Sequence, residues 1–303
     1  MPPAPPPQIF DRDKLIARRQ AFARRFDEYD FLRARVSSDL ETRVADTPRI
    51  FEAMLELGGA GGGLSQALIT QNRAKSAIVA DTSIAFLEAA RARGLEAVFA
   101  DPEALPFETE RFDLIVSPLV LHWVNDLPGA LVQIRRALRP DGLFLGALFG
   151  AGTLAELREV LGEAETELSG GLSPRVSPLP GLRDMAGLLQ RAGFALPVAD
   201  RDTVTVRYRQ PGALIADLKG MGERAAFARG IARPLPRGVL ARAIELYKER
   251  FSDPDGRVRA TFEILHLSGW APAPGQPQPL KPGSAKASMA DAVKRAGETG
   301  GKS

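Results

Sequence analysis

Helical and strand-like patterns of apolar residues alternate along most of this chain. From Asp11 to about Ala45 apolar residues recur at helical spacing with arginines between them, which predicts two amphipathic helices. Short apolar runs then alternate with helical segments, which predicts a parallel sheet with helices on both faces. The strands are predicted at 50–57, 76–81, 96–100, 112–118 and 143–149, and the helices between them at 63–72, 84–93 and 127–138.

The pattern changes after Gly150. Helical segments are predicted at 153–167, 181–192, 212–222 and 237–251, around two late strands at 203–208 and 261–270. This is too little strand for a second sheet, so we expect a helical cap inserted into one domain. The predicted organisation is a disordered leader (1–10), a single domain (11–270) and a flexible tail (271–303). Within the domain we expect N-terminal helices (11–45), a ligand-binding core (46–150) and the cap (151–251).

Composition narrows the classes of function. Lys and Arg are scattered among 37 acidic residues with a formal net charge of +3, which favours no nucleic-acid partner. The chain has no cysteine, which removes disulfides, thiolate nucleophiles and Cys-ligated zinc. No apolar stretch reaches the roughly 20 residues of a membrane-spanning helix, and MPPAPPPQ has no secretory pattern. We therefore expect a cytoplasmic location.

The sequence LELGGAGGG (55–63) joins a predicted strand to a predicted helix through a glycine-rich turn. Without Cβ atoms such a loop can take positive φ and let a ligand approach the main chain. Glu56 precedes the first glycine by two residues, where dinucleotide-binding domains usually stay apolar, and the G-x-G-x-x-G register fails. A carboxylate here is typical of S-adenosylmethionine (AdoMet) enzymes, near the cationic amino-acid end of the cofactor.

Three further strand ends carry polar residues. Asp81 closes the second strand and can accept hydrogen bonds from two ribose hydroxyls, although NAD sites use an acid at similar spacing. Asp101 follows the third strand and could accept a hydrogen bond from the adenine amino group. Ser117 belongs to the fourth strand, whose end would face the methyl donor. The predicted cofactor-binding residues are Glu56, Gly58, Gly59, Ala60, Gly62, Asp81, Asp101 and Ser117, and no metal site is predicted.

In order along the chain, these motifs resemble a class I AdoMet-dependent methyltransferase, across nearly the whole sequence. More narrowly, the chain resembles mitochondrial complex I assembly factors with a methyltransferase fold and their α-proteobacterial relatives, with the biotin-pathway malonyl-carrier-protein methyltransferases as cousins. The segments that carry the narrower resemblance are QIFDR (8–12), HWVNDLP (122–128), GGLSPRVSPL (170–179), LKGMGE (218–223), TFEILHLSGW (261–270) and PGSAKAS (282–288). The resemblance implies a Rossmann-like, mostly parallel seven-stranded sheet, AdoMet as cofactor and a respiratory complex I subunit as protein substrate.

The chain departs from the family pattern at two positions. Ala60 stands where the second glycine of the loop is usual, and a positive φ there would cost about 1 kcal/mol. Pro102 follows Asp101 and has no N–H, so the backbone donor that family members often offer to adenine is missing.

Methyl transfer needs little acid–base machinery, because the donor is already activated. His122 and Trp123 are the candidates to face the substrate, while local packing remains the alternative for both. We expect an AdoMet-dependent methyltransferase that modifies a protein in complex I assembly, peripheral to the inner membrane through its partner. The alternatives are an arginine hydroxylase, a malonyl-carrier-protein O-methyltransferase and a non-catalytic AdoMet-binding scaffold. The hydroxylase alternative is implied by the resemblance alone, because His122 and His266 lack the spacing of an iron site.

Overall fold

The computed structural model describes residues 7–277. The predicted disordered leader and flexible tail therefore lie partly outside the described residues, at 1–6 and 278–303. The described residues up to Pro272 belong to one compact unit, and a second unit begins at Ala273. Of the second unit the structure describes a turn in which Ala273 N donates to Gln276 Oε1 at 3.1 Å. The predicted divisions at 45, 150 and 251 stay predictions.

The described chain forms one seven-stranded sheet in the order β3-β2-β1-β4-β5-β7-β6. Strands β1 to β5 are parallel, and β7 runs antiparallel to both of its neighbours. This arrangement confirms the predicted class I methyltransferase fold. The strands are β1 (Met54–Leu57), β2 (Ala77–Asp81), β3 (Glu96–Phe99), β4 (Phe112–Pro118), β5 (Leu138–Phe149), β6 (Ala195–Tyr208) and β7 (Val258–Trp270).

Helices cover both faces of this sheet. They are α1 (Arg12–Ala23), α2 (Phe26–Tyr29), α3 (Phe31–Ala45), α4 (Gly63–Thr70), α5 (Ile84–Ala92), α6 (Leu127–Ala137), α7 (Ala155–Ser169), α8 (Leu182–Arg191), α9 (Pro211–Gly220) and α10 (Arg237–Phe251). Apolar side chains of α3, α4, α7, α9 and α10 form one core, and those of α6 and α8 form the other. No helix in the described part of the chain is long and apolar enough to cross a membrane.

The N-terminal segment forms three helices where two were predicted. The break after α1 allows Phe22 and Phe26 to pack edge-to-face on Phe86, with ring centroids 5.8 and 5.2 Å away. The two longer helices are anchored very differently. Helix α3 buries four side chains at intervals of four residues, Leu32, Val36, Leu40 and Val44, whereas α1 has no buried residue.

Strand β6 begins at Ala195, eight residues before the predicted start. It is one of the two edge strands of the sheet, and its side chains alternate between exposed and half-buried positions over most of its length. An edge strand tolerates proline and charged residues, and this one contains Pro197 and several charged residues. It therefore has no continuous apolar run by which the sequence would indicate a strand. The pairing with β7 accordingly shifts register between Ala195 and Val198.

Strand β1 is shorter than predicted because a carboxylate binds the backbone at its start. Asp113, at 4% exposure, accepts hydrogen bonds from Glu52 N at 2.7 Å and Ala53 N at 2.9 Å. These two N–H groups would otherwise bond to a neighbouring strand. Asp113 therefore ties the entry of β1 to β4 and helps to hold the two strands whose ends border the candidate site.

We predict that Asp113→Ala lowers the free energy of unfolding by about 1–3 kcal/mol, because two backbone donors lose their acceptor. Urea denaturation followed by circular dichroism measures the loss. Asp13→Ala, at an exposed position in the first turn of α1, is the matched control and should change stability by less than about 0.5 kcal/mol. Equal stability of the two variants would contradict this role for Asp113.

Candidate functional site

The glycine loop follows β1 and adopts the left-handed conformations that its sequence allows. Gly58, Ala60 and Gly62 have φ values of 71°, 43° and 77°. A Cβ on Gly58 would lie 2.6 Å from Cβ of Val120, so the loop also requires glycine there for space. Ala60 does take the positive φ that costs about 1 kcal/mol for a residue with Cβ. Its backbone N–H donates to Asp81 at 3.1 Å.

Glu56 lies beneath this loop and is buried. Its Oε2 accepts hydrogen bonds from Ser65 N at 2.9 Å and Ser65 Oγ at 2.6 Å, which joins β1 to α4. Burial raises the pKa of Glu56, while the charge of Arg33 and the bonds from Ser65 oppose that rise. Gly59 is packed against the same side chain, since a Cβ there would lie 3.2 Å from its carboxyl carbon.

Asp81 ends β2 and pairs with Arg19 of α1. Arg19 donates from Nε to Oδ1 at 2.6 Å and from Nη2 to Oδ2 at 2.5 Å, and also to Gly58 O at 2.9 Å. Burial opposes the charge of Asp81, but the charge and hydrogen bonds of Arg19 outweigh it and lower the pKa of Asp81. The carboxylate predicted to hold a ribose is thus bound to a guanidinium of the same chain.

A second arginine, Arg33 of α3, reaches the same edge of the sheet. Its side chain is 11% exposed and donates to Gly58 O at 2.5 Å and to Pro118 O at 2.7 Å. Its nearest described carboxylate is Glu56, at 3.8 Å, beyond hydrogen-bond distance. Burial, followed by the like charge of Arg19, lowers the pKa of Arg33 to about 10.

The remaining predicted cofactor residues differ in their surroundings. Asp101 is partly buried beyond the end of β3, where it pairs with Arg12 and accepts from Glu103 N at 2.8 Å. Ser117 is fully buried in β4, and its Oγ has no hydrogen-bond partner among the described residues. Ser117 lines neither of the two cavities described next, so its predicted cofactor role stays a prediction.

Two neighbouring cavities near the carboxyl ends of the strands share part of their lining. The smaller, about 50 Å³, lies beside Arg19, Thr82, Pro102 and Val120, residues of α1 and the strand ends. The larger, about 510 Å³, is enclosed mostly by apolar side chains of α7, α9, α10 and residues 174–179 and 223–235. Helices predicted to cap the ligand cleft therefore do border a cavity of small-molecule size.

Trp123 and Glu223 line both cavities and form their common wall. Trp123 Nε1 donates to Glu223 Oε2 at 3.1 Å, and His122 Nε2 lies 3.1 Å from the same oxygen. Since a carboxylate accepts hydrogen bonds, His122 donates through Nε2. Its Nδ1 is buried without a hydrogen-bond partner in the described structure, although the ring borders the larger cavity. Both sequence candidates thus fix one carboxylate between the two cavities.

Sequence reasoning missed Arg19, Arg33 and Glu223. Glu223 lies in the LKGMGE segment, but nothing local connects it to His122, 101 residues away. Arg33 offered a detectable signal, because it precedes Val36 by three residues and Leu40 by seven on a helix. It therefore flanks the apolar stripe of α3 and could have been expected near the body.

The two histidines of the chain do not come together in the structure. The described residues contain no group of three or more His, Asp or Glu side chains placed to hold an ion. His122 contacts Glu223, whereas His266 of β7 lies 3.8 Å from Asp39. The two histidines therefore have separate carboxylate neighbours.

Comparisons with known proteins agree with this geometry. Residues 55–146 match the family model described as a methyltransferase domain. The chain is 40% identical over 293 residues to the mitochondrial arginine-hydroxylase NDUFAF5 of Danio rerio, covering 94% of this chain and 90% of that one. It is 32% identical to the malonyl-[acyl-carrier protein] O-methyltransferase of Halorhodospira halophila, covering 89% and 91% of the two chains.

A solved structure supports the fold alone. The YcgJ protein of Bacillus subtilis superposes with a TM-score of 0.54 at 15% identity, covering 77% of this chain and 97% of that chain.

The methyltransferase-domain match supports AdoMet as the cofactor and an AdoMet-dependent methyltransferase as the enzyme class. Because its likeness to NDUFAF5 extends over nearly the full length of both chains, the protein belongs to the methyltransferase-fold family that contains this arginine-hydroxylase.

Proposed function

We propose that this chain is an AdoMet-dependent enzyme that modifies an arginine side chain of a respiratory complex I subunit. The observation that carries the proposal is the common wall of the two cavities, where Glu223 faces a large apolar space beside the cofactor-binding edge. The name of the 40%-identical relatives, arginine-hydroxylase, supports arginine as the acceptor.

The residues at the strand ends fit the cofactor in chemistry but not in space. Glu56, Asp81 and the loop carbonyl of Gly58 suit a ligand with a cationic amino-acid end and a ribose. The adjoining cavity of about 50 Å³ is far below the roughly 300–1,000 Å³ of ligand pockets. Binding therefore requires Arg19 to leave Asp81. Helix α1 has no buried residue, so it can move without withdrawing a side chain of its own from the core.

Glu223 is the residue that would bind the acceptor. His122 and Trp123 both use Oε2, and no hydrogen bond among the described residues uses Oε1. A carboxylate held in one orientation suits the fork of a guanidinium, while Phe149 and Leu218 on the cavity wall suit the aliphatic part of an arginine side chain.

When bound, AdoMet supplies an activated methyl group. The unpaired Nδ1 of His122 is placed to accept the proton that the acceptor releases.

One observation favours a second candidate, O-methylation of a malonyl-carrier protein. Arg224 and Arg233 also line the larger cavity, and neither has a carboxylate within 4.0 Å among the described residues. Two such guanidinium groups would suit an acceptor that carries a carboxylate. The relative at 32% identity has this activity in its name. The acceptor is cationic in the first candidate function and anionic in the second, so an experiment can distinguish the two.

The proposed partner and the proposed location are inferred from the relatives of this chain. Complex I involvement is proposed from the likeness to NDUFAF5, whose name places it in mitochondria. The cytoplasmic location expected from the sequence is not supported by that likeness and stays a prediction. We propose that the chain works where complex I is assembled, through contact with the subunit it modifies.

We predict that Arg19→Gln raises the affinity for AdoMet about tenfold, because the variant removes the charged competitor for Asp81. Isothermal titration calorimetry measures the dissociation constant. Arg25→Gln is the control, since Arg25 is exposed and pairs locally with Glu28. A clear loss of affinity in Arg19→Gln would indicate that Arg19 binds the cofactor and would contradict its role as competitor.

Mass spectrometry of complex I tests the reaction and Glu223 together. Complex I is purified from the source organism with the gene intact, deleted, or complemented by wild type, Glu223→Gln or Glu159→Gln. An arginine modification of +14, the methyl group that AdoMet supplies, should vanish on deletion and return with wild type. A +16 change with the same dependence would indicate hydroxylation, whose oxidant AdoMet does not supply, and would overturn methyl transfer as the reaction. Glu223→Gln should restore it less than one tenth as well, since loss of the carboxylate charge removes a guanidinium anchor worth about 1.5–3 kcal/mol.

The Glu159→Gln variant is the matched control, because Glu159 is exposed on α7 and pairs with Arg250. It should restore the modification fully. Unchanged arginine masses after deletion, together with a +14 change on purified malonyl-carrier protein, would overturn the arginine proposal in favour of the second candidate.

A further inference from the structure

A segment rich in arginine borders the larger cavity. Residues 224–237, RAAFARGIARPLPR, contain no acidic residue, and their four arginines are Arg224, Arg229, Arg233 and Arg237. All four arginines are exposed. Arg224, Arg233 and Leu235 also line the larger cavity, so this stretch, here called the arginine segment, lies at the opening of the cavity to solvent.

The positive charge of the arginine segment is not neutralised by the rest of the described chain. None of its four guanidinium groups has a carboxylate within 4.0 Å among the described residues, whereas on neighbouring α10 Arg242 pairs with Glu167 and Arg250 with Glu163. Arg237 is the first residue of α10, where the positive end of the helix dipole disfavours a cation, and the first turn has no acidic residue. These charges are therefore available to an anion from outside.

Two further arginines bind the backbone of the arginine segment and add to its charge. Arg18 of α1 donates to the carbonyl oxygen of Arg224, and Arg175 donates to that of Arg233. Arg175 pairs with Glu165, but Arg18 has no carboxylate within 4.0 Å in the described structure. Burial, followed by the like charge of Arg224, lowers the pKa of Arg18. A bound anion would relieve this repulsion.

An apolar groove of about 400 Å³ neighbours the larger cavity. The lining residues that the groove and the cavity share are Pro174, Val176, Ser177, Leu179 and Phe227. Ile231 of the arginine segment also lines the groove, and its described lining contains no Asp or Glu. The groove therefore offers room for polypeptide beside an acceptor side chain in the cavity. In the described lining of the cavity the single carboxylate is that of Glu223, while guanidinium groups surround the opening.

We propose that the arginine segment binds acidic side chains that flank the acceptor arginine in the sequence of the modified protein. This inference rests on the proposed function, because it takes the occupant of the cavity to be an arginine. Such a peptide places its cation at Glu223 and its carboxylates at the opening, where Arg224 and Arg233 can form bidentate pairs with them. A nucleic acid also suits exposed arginines, but its phosphates bring no cation to Glu223.

The test begins with an array of peptides of about 15 residues that tile the complex I subunits of the source organism. The full chain is bound to the array, and fluorescence anisotropy gives dissociation constants for the tightest peptides. We expect these peptides to contain an arginine with at least two acidic residues within about five positions. Versions with Asn and Gln in place of Asp and Glu should bind about tenfold more weakly at low salt, because several exposed charge pairs are lost together. The difference should shrink to about threefold or less at high salt.

The variant that combines Arg229→Gln, Arg233→Gln and Arg237→Gln should lower the tenfold difference to about threefold or less. Its affinity for the Asn and Gln versions should stay within about twofold of wild type, which verifies that the cavity is intact. The matched control loses the same net charge from exposed arginines that have carboxylate partners, through Arg25→Gln, Arg35→Gln and Arg250→Gln. It should keep the full difference.

Three results would overturn the inference: a difference below about twofold in wild type, a full difference retained by the triple variant, or no peptide bound more tightly than about 1 mM. Tighter binding of a single-stranded RNA of about 15 nucleotides than of any peptide would also overturn it, in favour of a nucleic-acid partner. Replacing the arginine of the bound peptide with glutamine tests the proposed function separately. Unchanged affinity for that peptide would overturn arginine as the acceptor, whereas the effect of the acidic residues is measured independently.

Discussion

The site depends on four buried or nearly buried charges at the carboxyl ends of β1 and β2: Glu56, Asp81, Arg19 and Arg33. Burying carboxylates without compensation is costly, and the chain compensates Asp81 with its own guanidinium. The same groups are what a zwitterionic cofactor with a ribose would contact. In the binding mode that we propose, one set of charge pairs is exchanged for another, and the affinity reports the difference between them.

The anchoring of the two N-terminal helices decides which pairs can be exchanged. Helix α1 supplies Arg19 and buries no residue, whereas α3 supplies Arg33 and buries four side chains. One arginine is thus carried by a helix without a buried residue, and the other by a helix that belongs to the core. Glu223 adds a third carboxylate at the wall between the two cavities, held by His122 and Trp123. The proposed cofactor edge and the proposed acceptor cavity consequently share a boundary made of polar groups that hydrogen-bond one another.

Much of this fold could be predicted from the sequence, because the central strands are continuous apolar runs and the glycine loop has a strong local signature. Asp81 at the end of β2 follows from the same reasoning. The N-terminal arginines could not be placed, since their contacts with Gly58 and Asp81 span 25 to 62 residues of sequence. The start of β6 was missed because an edge strand with Pro197 lacks an apolar run.

The most direct test is a crystal structure of the full chain with S-adenosylhomocysteine. We predict that ribose hydroxyls lie on Asp81, that the guanidinium of Arg19 is withdrawn from both carboxylate oxygens, and that Arg33 is still beside Gly58. A bound ligand with the hydrogen bonds between Arg19 and Asp81 intact would contradict this prediction, because the carboxylate of Asp81 would then have a structural role only.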